Sequence, residues 1–226
     1  MRLALFDLDD TLFDGDTDIA WSDLLAEEGA QDASRTRAYH EQYRAGTLDI
    51  DEFFAFQLEP LARHPLPRLL AWRERFLRER ILPRISPLAR TLVREHQTFG
   101  HELVLITATN SFLTRPISEA LGIPHLVASE PERVGGRFTG RLEGVPCFRE
   151  GKVTKLVEWL ALRGLRMHEL EASFFYSDSH NDLPLLGSVT HPVAVDPDPV
   201  LERHARLHGW PILELHERHG RAQAAG

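Results

Sequence analysis

Five short apolar runs constrain this chain more than any other feature: RLALF (2–6), HELVLIT (101–107), HLVAS (125–129), ASFFYS (172–177) and HPVAV (191–195). Each has strand length, is rich in Leu, Val, Ile or Phe, and is bounded by polar or turn residues, the pattern of strands buried on both faces. Segments with helical spacing lie between them at 87–98, 112–121, 152–163 and 182–187. Strands alternating with helices predict an α/β fold, a Rossmann-like parallel sheet with helices on both faces.

Two stretches break the alternation. Residues 18–82 carry helical patterns such as IAWSDLLAEEG and RLLAWRERFLRERIL but no convincing strand. A structureless loop of that length is implausible in a compact domain, so an all-helical insert is expected there. It divides the chain into a core formed by 1–17 and 83–226 and a smaller helical cap at 18–82. The second stretch, GGRFTGRLEGVPCF (135–148), alternates between Gly punctuation marks and is expected to be a hairpin projecting from the sheet.

Composition excludes several classes. The formal charge of −8 argues against a nucleic-acid partner. No apolar run approaches the ~20 residues of a membrane span, and Asp7 interrupts the N-terminal run before it can serve as a signal peptide. A single cysteine, Cys147, excludes an internal disulfide framework and fits a reducing, cytoplasmic setting.

In open α/β sheets, ligands bind outside the carboxyl ends of the strands. Asp7, Asp9 and Asp10 follow the first run, Thr107, Thr109 and Asn110 the second, and Asp178, Asn181 and Asp182 the fourth. The stretch FDLDDTLFDGDTD (6–18) alone holds six carboxylates in thirteen positions. Carboxylates crowded in a partly dry site repel one another unless protonated, paired or bound to a cation. Magnesium resolves such a cluster, typically with one or two carboxylates, waters and substrate phosphate. Asp7 and Asp178 suit that role, with Asp182 one helical turn on to hold or orient a metal water. A phosphoryl group would also need a hydroxyl and a cation. Thr107 supplies the first. The only lysines, Lys152 and Lys155, lie together in GKVTK, and Lys152 at the helix start is the better placed.

In order along the chain, DLDDTL, ITAT, Lys152 and SDSHND resemble the motifs of the haloacid dehalogenase superfamily of phosphatases. The helical insert after the first motif and the form YSDSHNDLPLL resemble its phosphoserine phosphatase-like branch, some members of which act on histidinol phosphate. The resemblance implies that Asp7 attacks phosphorus, and that Asp9 serves as acid and then base while its carbonyl joins the Mg2+ shell. It further implies that Thr107, Ala108 and Lys152 bind phosphate, that Asp7, Asp9, Asp178 and Asp182 surround the metal, and that Asn181 supports them. Dehalogenases that attack carbon lack the carboxylate equivalent to Asp9, so phosphate is favoured. Asp16 stands where phosphoserine phosphatases bind the substrate amine, and Arg44 is the candidate for a substrate carboxylate. The expected partner is therefore a small phosphorylated, amine-bearing metabolite, histidinol phosphate ahead of phosphoserine, on a monomer or homodimer.

Blander readings compete. Asp10 and Asp14 are expected to shape the turn, and Asp18 to cap the first helix of the insert. Ser177, His180 and Asp182 mimic a hydrolytic triad, but such triads assemble from distant segments and no GxSxG elbow is present. Nine arginines against two glutamates between Arg63 and Arg94 read as a solvated helical face. The further alternatives are a phosphotransferase, a phospho-accepting signalling domain and a non-catalytic binding protein on the same fold.

Overall fold

The structure, a computed structural model, describes residues 1–45 and 47–216, without the side chains of 33, 40 and 43–45. The chain opens with β1 (Arg2–Phe6) and then forms four helices, α1 (Thr17–Glu27), α2 (Ala33–Ala45), α3 (Ile50–Arg63) and α4 (Leu66–Phe76). A π turn (Leu77–Ile81) and a 3-10 turn (Leu82–Arg84) lead into α5 (Pro87–Thr98), β2 (Glu102–Asn110), α6 (Ser111–Ala120) and β3 (His125–Val134). There follow β4 (Arg137–Glu143), α7 (Glu150–Ala161), β5 (Ala172–Ser177), α8 (Leu183–Leu186), β6 (His191–Val195), α9 (Pro199–His208) and β7 (Ile212–Leu213).

The strands form one sheet in the order β4-β3-β2-β1-β5-β6-β7, parallel except for β4. From β1 the chain winds outward through β2 and β3, then returns to the other side of β1 with β5 and β6. The topological switch point therefore lies between β1 and β5. Period-two alternation splits β1 between two cores. Ala4 and Phe6 join Trp21, Leu24, Leu58, Trp72, Val93 and Leu105 on one face. Leu3 and Leu5 join Val104, Ile106, Leu156, Phe175 and Leu201 on the other. The helical insert thus shares one continuous apolar cluster with the sheet.

Local chemistry sets the helix ends. Ser86 accepts from Ala89 N–H at 3.0 Å ahead of Pro87, starting α5, and Asp198 does the same for α9 with Val200 and Leu201 ahead of Pro199. Gly209, at φ 67°, ends α9 in the left-handed region. The arginine-rich run is largely paired within the fold. Arg75 bonds Glu27, Glu28 and Glu79, Arg80 bonds Glu27, and Arg73 donates to the Phe112 carbonyl at 3.0 Å.

Several expected boundaries move. The hairpin is not contained in 135–148: Gly135 and Gly136, at φ 58° and 80°, are the turn itself, joining the far half of β3 to β4. Strand β2 runs on to Asn110, with a register shift against β3 between Thr107 and Asn110. Strand β7, only two residues long, was too short to carry a periodic signal. Asp18 does not cap α1; Asp16 does, accepting from Ile19 N–H at 2.8 Å.

Beneath the sheet, His96 on α5 is almost fully buried and bonded on both ring nitrogens, through Nε2 to the Tyr176 hydroxyl and through Nδ1 to His101 Nδ1, each at 2.7 Å. Burial, aided by neighbouring His101, pushes its pKa down from 6.5 to about 4. The unfolded chain therefore binds more protons than the native one between those values, so this contribution is present above pH 6.5 and lost on acidification towards 4. The stability margin of wild type over His96→Gln, measured by thermal unfolding, should shrink by about 2 kcal/mol over that window after allowance for solvent screening. A margin independent of pH would contradict the assignment.

Candidate active site

Asp7 is the first residue beyond β1, and its N–H donates to the Tyr176 carbonyl at 2.9 Å, extending the β1–β5 ladder by one step. The chain then turns sharply. The N–H groups of Thr11, Leu12 and Phe13 all converge on the Leu8 carbonyl, and Asp10 takes a left-handed φ of 50° while its N–H donates to the Gly15 carbonyl at 2.9 Å. This tight coil keeps both Asp7 and Asp9 at the carboxyl edge while sending the chain on to α1.

The two carboxylates are held differently. Lys152 Nζ donates to Asp7 Oδ1 and to Asp182 Oδ2, each at 2.7 Å, and Ser177 Oγ donates to the same Asp182 oxygen at 2.6 Å. The Asp9 carboxylate instead accepts from the N–H of Thr17 at 2.6 Å, from the Thr17 hydroxyl, and from the Thr109 hydroxyl at 2.9 Å. Thr17 begins α1 and Thr109 ends β2, so Asp9 ties the insert to the sheet. Asp178, at the end of β5, exchanges two bonds with Thr11: its N–H donates to Thr11 Oγ1 at 3.1 Å, and that hydroxyl donates to Asp178 Oδ1 at 3.2 Å.

Thr107 is buried, its hydroxyl accepting from Thr109 N–H at 3.2 Å, with Ala108 between them in β2. Asn181 Oδ1 accepts from Arg149 Nε at 2.8 Å. Arg149 has φ 52°, a left-handed conformation unusual for a side-chain-bearing residue, just ahead of α7. Gly151 follows because nothing larger fits: a Cβ there would lie 2.0 Å from the Pro146 carbonyl oxygen. That close approach seats the first turn of α7, and with it Lys152, against the sheet edge.

Asp16 is the N-cap of α1, close enough for its charge to act on Asp9. It borders a cleft of about 280 Å³ shared with Asp10, Asp23, Arg80 and Arg84, whose lining does not include Asp7, Asp178 or Lys152. Arg44 lies in α2, but its side chain is outside the described residues. No triad forms from Ser177, His180 and Asp182, because His180 Nδ1 is bonded to Asp198 Oδ2 at 2.7 Å while Ser177 serves Asp182. Sequence reasoning missed Thr11, Thr17 and Arg149, named Thr109 only by its place after the second apolar run, and considered Ser177 only as part of a rejected triad. All but Arg149 lay in or beside stretches already singled out: FDLDDTLFDGDTD, the residues after the second apolar run, and YSDSHNDLPLL.

The electrostatics follow from burial. Asp7 is pushed up to about 6, first by burial and then by Asp182, against the opposing pull of Lys152. Burial likewise raises Asp9, with Asp16 and Asp7 adding, and raises Asp178, with Asp7 and Asp10 adding. Burial disfavours the Lys152 ammonium, but Asp182 and Asp7 outweigh it and hold its proton above the usual lysine range. One ammonium thus faces four buried or half-buried carboxylates, a set that invites a divalent cation. Among the described residues, no three His, Cys, Asp or Glu side chains are grouped to hold a metal. Asp7 and Asp178 with the Asp9 carbonyl, completed by water and phosphate, match what magnesium needs, whereas the Asp182 carboxylate is engaged by Lys152 and Ser177.

Known proteins agree with this architecture. The chain is 44% identical over 219 residues to a histidinol-phosphatase of Neisseria meningitidis serogroup C, covering 95% of this chain and 99% of that one. Its fold matches a crystal structure of a protein of unknown function from Bordetella pertussis Tohama I with a TM-score of 0.90 at 45% identity, covering 95% and 99% of the two chains. A substrate-bound phosphoserine phosphatase shares the fold at a TM-score of 0.68 and 17% identity, over 96% of this chain and 93% of that one. The pattern of the haloacid dehalogenase-like hydrolases matches residues 4–187, spanning the loop after β1, the end of β2, Lys152 and the loop after β5, and the chain belongs to that family.

Proposed function

We propose that this hydrolase is a magnesium-dependent phosphomonoesterase that works through an aspartyl-phosphate on a small amine-bearing metabolite, histidinol phosphate first. The observation that carries this reading is the separate support of two carboxylates two residues apart. Asp7 is presented beside a buried ammonium, and Asp9 is clamped by Thr17 and Thr109 with its proton affinity raised. One is set up as a nucleophile and the other as an acid.

In the first step an Asp7 oxygen bonds to phosphorus as the ester P–O bond breaks, and Asp9 gives its proton to the departing alkoxide. In the second step water attacks the aspartyl-phosphate and Asp9 takes a proton back, releasing phosphate and restoring Asp7. Lys152 holds Asp7 in line and offsets negative charge on the transferring group, with Thr107 as hydroxyl donor. Mg2+, held by Asp7, Asp178 and the Asp9 carbonyl, would neutralise phosphoryl charge. Asp182 and Ser177 orient Lys152, and Arg149 orients Asn181.

The helices at 18–82 are read as a cap over a core formed by 1–17 and 83–226, in a monomer or homodimer. Asp16 is kept as an amine contact. No described helix is long and apolar enough to cross a membrane, and the single, buried Cys147 suits a reducing, cytoplasmic setting. The histidinol-phosphatase name of the Neisseria relative supports the substrate choice. Phosphoserine is the second candidate, supported by shared fold.

Purified protein with Mg2+ should release phosphate from histidinol phosphate faster than from phosphoserine. Chelation should abolish release and excess Mg2+ restore it; turnover that persists in chelator would refute the metal assignment. Asp7→Asn should lower kcat by at least about a thousandfold with little change in Tm, since it removes the nucleophile but keeps the shape. Phosphate release at the wild-type rate would exclude Asp7. A stable phospho-aspartate without turnover would instead favour a phospho-accepting signalling domain.

A further inference from the structure

The fifth apolar run forms β6, and the residues after it, Asp196, Pro197 and Asp198, leave the same carboxyl edge as the acidic loops after β1 and β5. Both aspartates grip neighbouring segments. Asp198 N–H donates to the Asp178 carbonyl at 2.8 Å, while Asp198 Oδ2 accepts from His180 N–H at 2.7 Å. Asp196 takes a left-handed φ of 40°, which few side-chain-bearing residues adopt but aspartate tolerates. So turned, its N–H donates to the Leu213 carbonyl at 2.9 Å, and its Oδ2 accepts from the N–H groups of Leu215 at 2.8 Å and His216 at 3.1 Å.

Leu213 ends β7, and Leu215 is buried in the apolar cluster that holds Ala4 and Phe6. The chain at 213–216 is thus pinned by backbone, carboxylate and apolar contact together, and His216 turns its ring onto the loop after β1. His216 Nε2–H donates to the Thr11 carbonyl at 2.9 Å, between residues 205 positions apart. Its Nδ1 is buried and has no partner among the described residues. An unpaired buried nitrogen is unfavourable, and phenylalanine would fill similar space without one, so packing alone does not call for histidine here. What the imidazole gains is a hold on Thr11. That residue is fully buried, and its hydroxyl accepts from Asp178 N–H at 3.1 Å and donates to Asp178 Oδ1 at 3.2 Å. Carbonyl and hydroxyl belong to one residue, so a bond that fixes the first restricts the second.

We infer that His216, seated by Asp196, is a positioning residue for the metal ligand Asp178, acting through Thr11. This deepens the phosphatase reading above and rests on its metal assignment. Groups that hydrogen-bond a ligand carboxylate set its orientation, and their loss commonly weakens metal binding about 10–100-fold. His216 acts one bond further out, which places its effect at the lower end of that range.

Two substitutions separate this role from simple packing. His216→Phe keeps a ring of similar outline and removes the donor, whereas His216→Gln keeps an N–H donor of similar reach. The Mg2+ Kd of each protein without substrate, read from the Mg2+ dependence of Tm at constant ionic strength, is the deciding quantity. His216→Phe should raise it by about tenfold, and His216→Gln should recover most of that loss. The Mg2+ concentration for half-maximal phosphate release should rise in the same order. Asp196→Gly, which relieves the left-handed backbone but removes the seat of His216, should also raise the Kd, and it decides the matter if His216→Phe does not fold. A wild-type Kd in His216→Phe or in Asp196→Gly, or an equal rise in the Phe and Gln variants, would overturn the positioning role; phosphate release by wild type that chelator abolishes would leave the phosphatase reading standing. Wild-type protein that binds no Mg2+ would overturn the positioning role and the metal assignment together.

Discussion

The buried ammonium of Lys152, shared between Asp7 and Asp182, is the interaction on which the rest of the site depends. A lone ion in that position would be strongly disfavoured, and a lone pair of carboxylates equally so. Placed together they neutralise one another and fix the ends of three segments: the loop after β1, the first turn of α7 and the turn after β5. Removing Lys152 would leave two buried carboxylates without a counter-charge, whereas neutralising Asp7 would leave Lys152 paired with Asp182. The cost of the cluster is visible in Asp7, Asp9 and Asp178, whose proton affinities remain above the ordinary carboxylate range. Residual negative charge of that kind is what a divalent cation would offset.

The sheet makes this possible by geometry. Because β1 lies between β2 and β5, the two richest acidic loops leave neighbouring strands in the same direction. The helical insert is bound into the arrangement at both levels. Trp21, Leu24, Leu58 and Trp72 belong to the same apolar cluster as β1, and Thr17 reaches Asp9 directly. The residue that holds Asp9 is thus also the first residue of α1, which couples the position of that helix to the carboxylate below it.

Much of this was legible in the residues. Asp7, Thr107, Lys152, Asp178, Asn181 and Asp182 do meet along one edge, because apolar runs announce strands and the residues after parallel strands share an edge. The hairpin was seen but misplaced, because its two glycines looked like the beginning of a strand pair and are the turn between the strands. Asp18 was expected to cap the first helix and Asp16 does; which one turns back onto the helix depends on a backbone dihedral, not on residue type. Ser177 and Thr17 lie within SDSHND and FDLDDTLFDGDTD, yet residue type alone assigned them no role, since a hydroxyl gains its role only from the carboxylate it faces.

Taken alone, the amino-acid sequence determined the alternation of strands and helices and the identity of the carboxylates at the sheet edge. These are encoded in periodicity and local order, which need no partner. Only the tertiary structure decided how the charges divide: Lys152 between Asp7 and Asp182, Asp9 between Thr17 and Thr109, and Asp178 with Thr11. Pairings across 100 residues or more are set by packing, and the same packing determines which polar groups lose water and must find something else to bind.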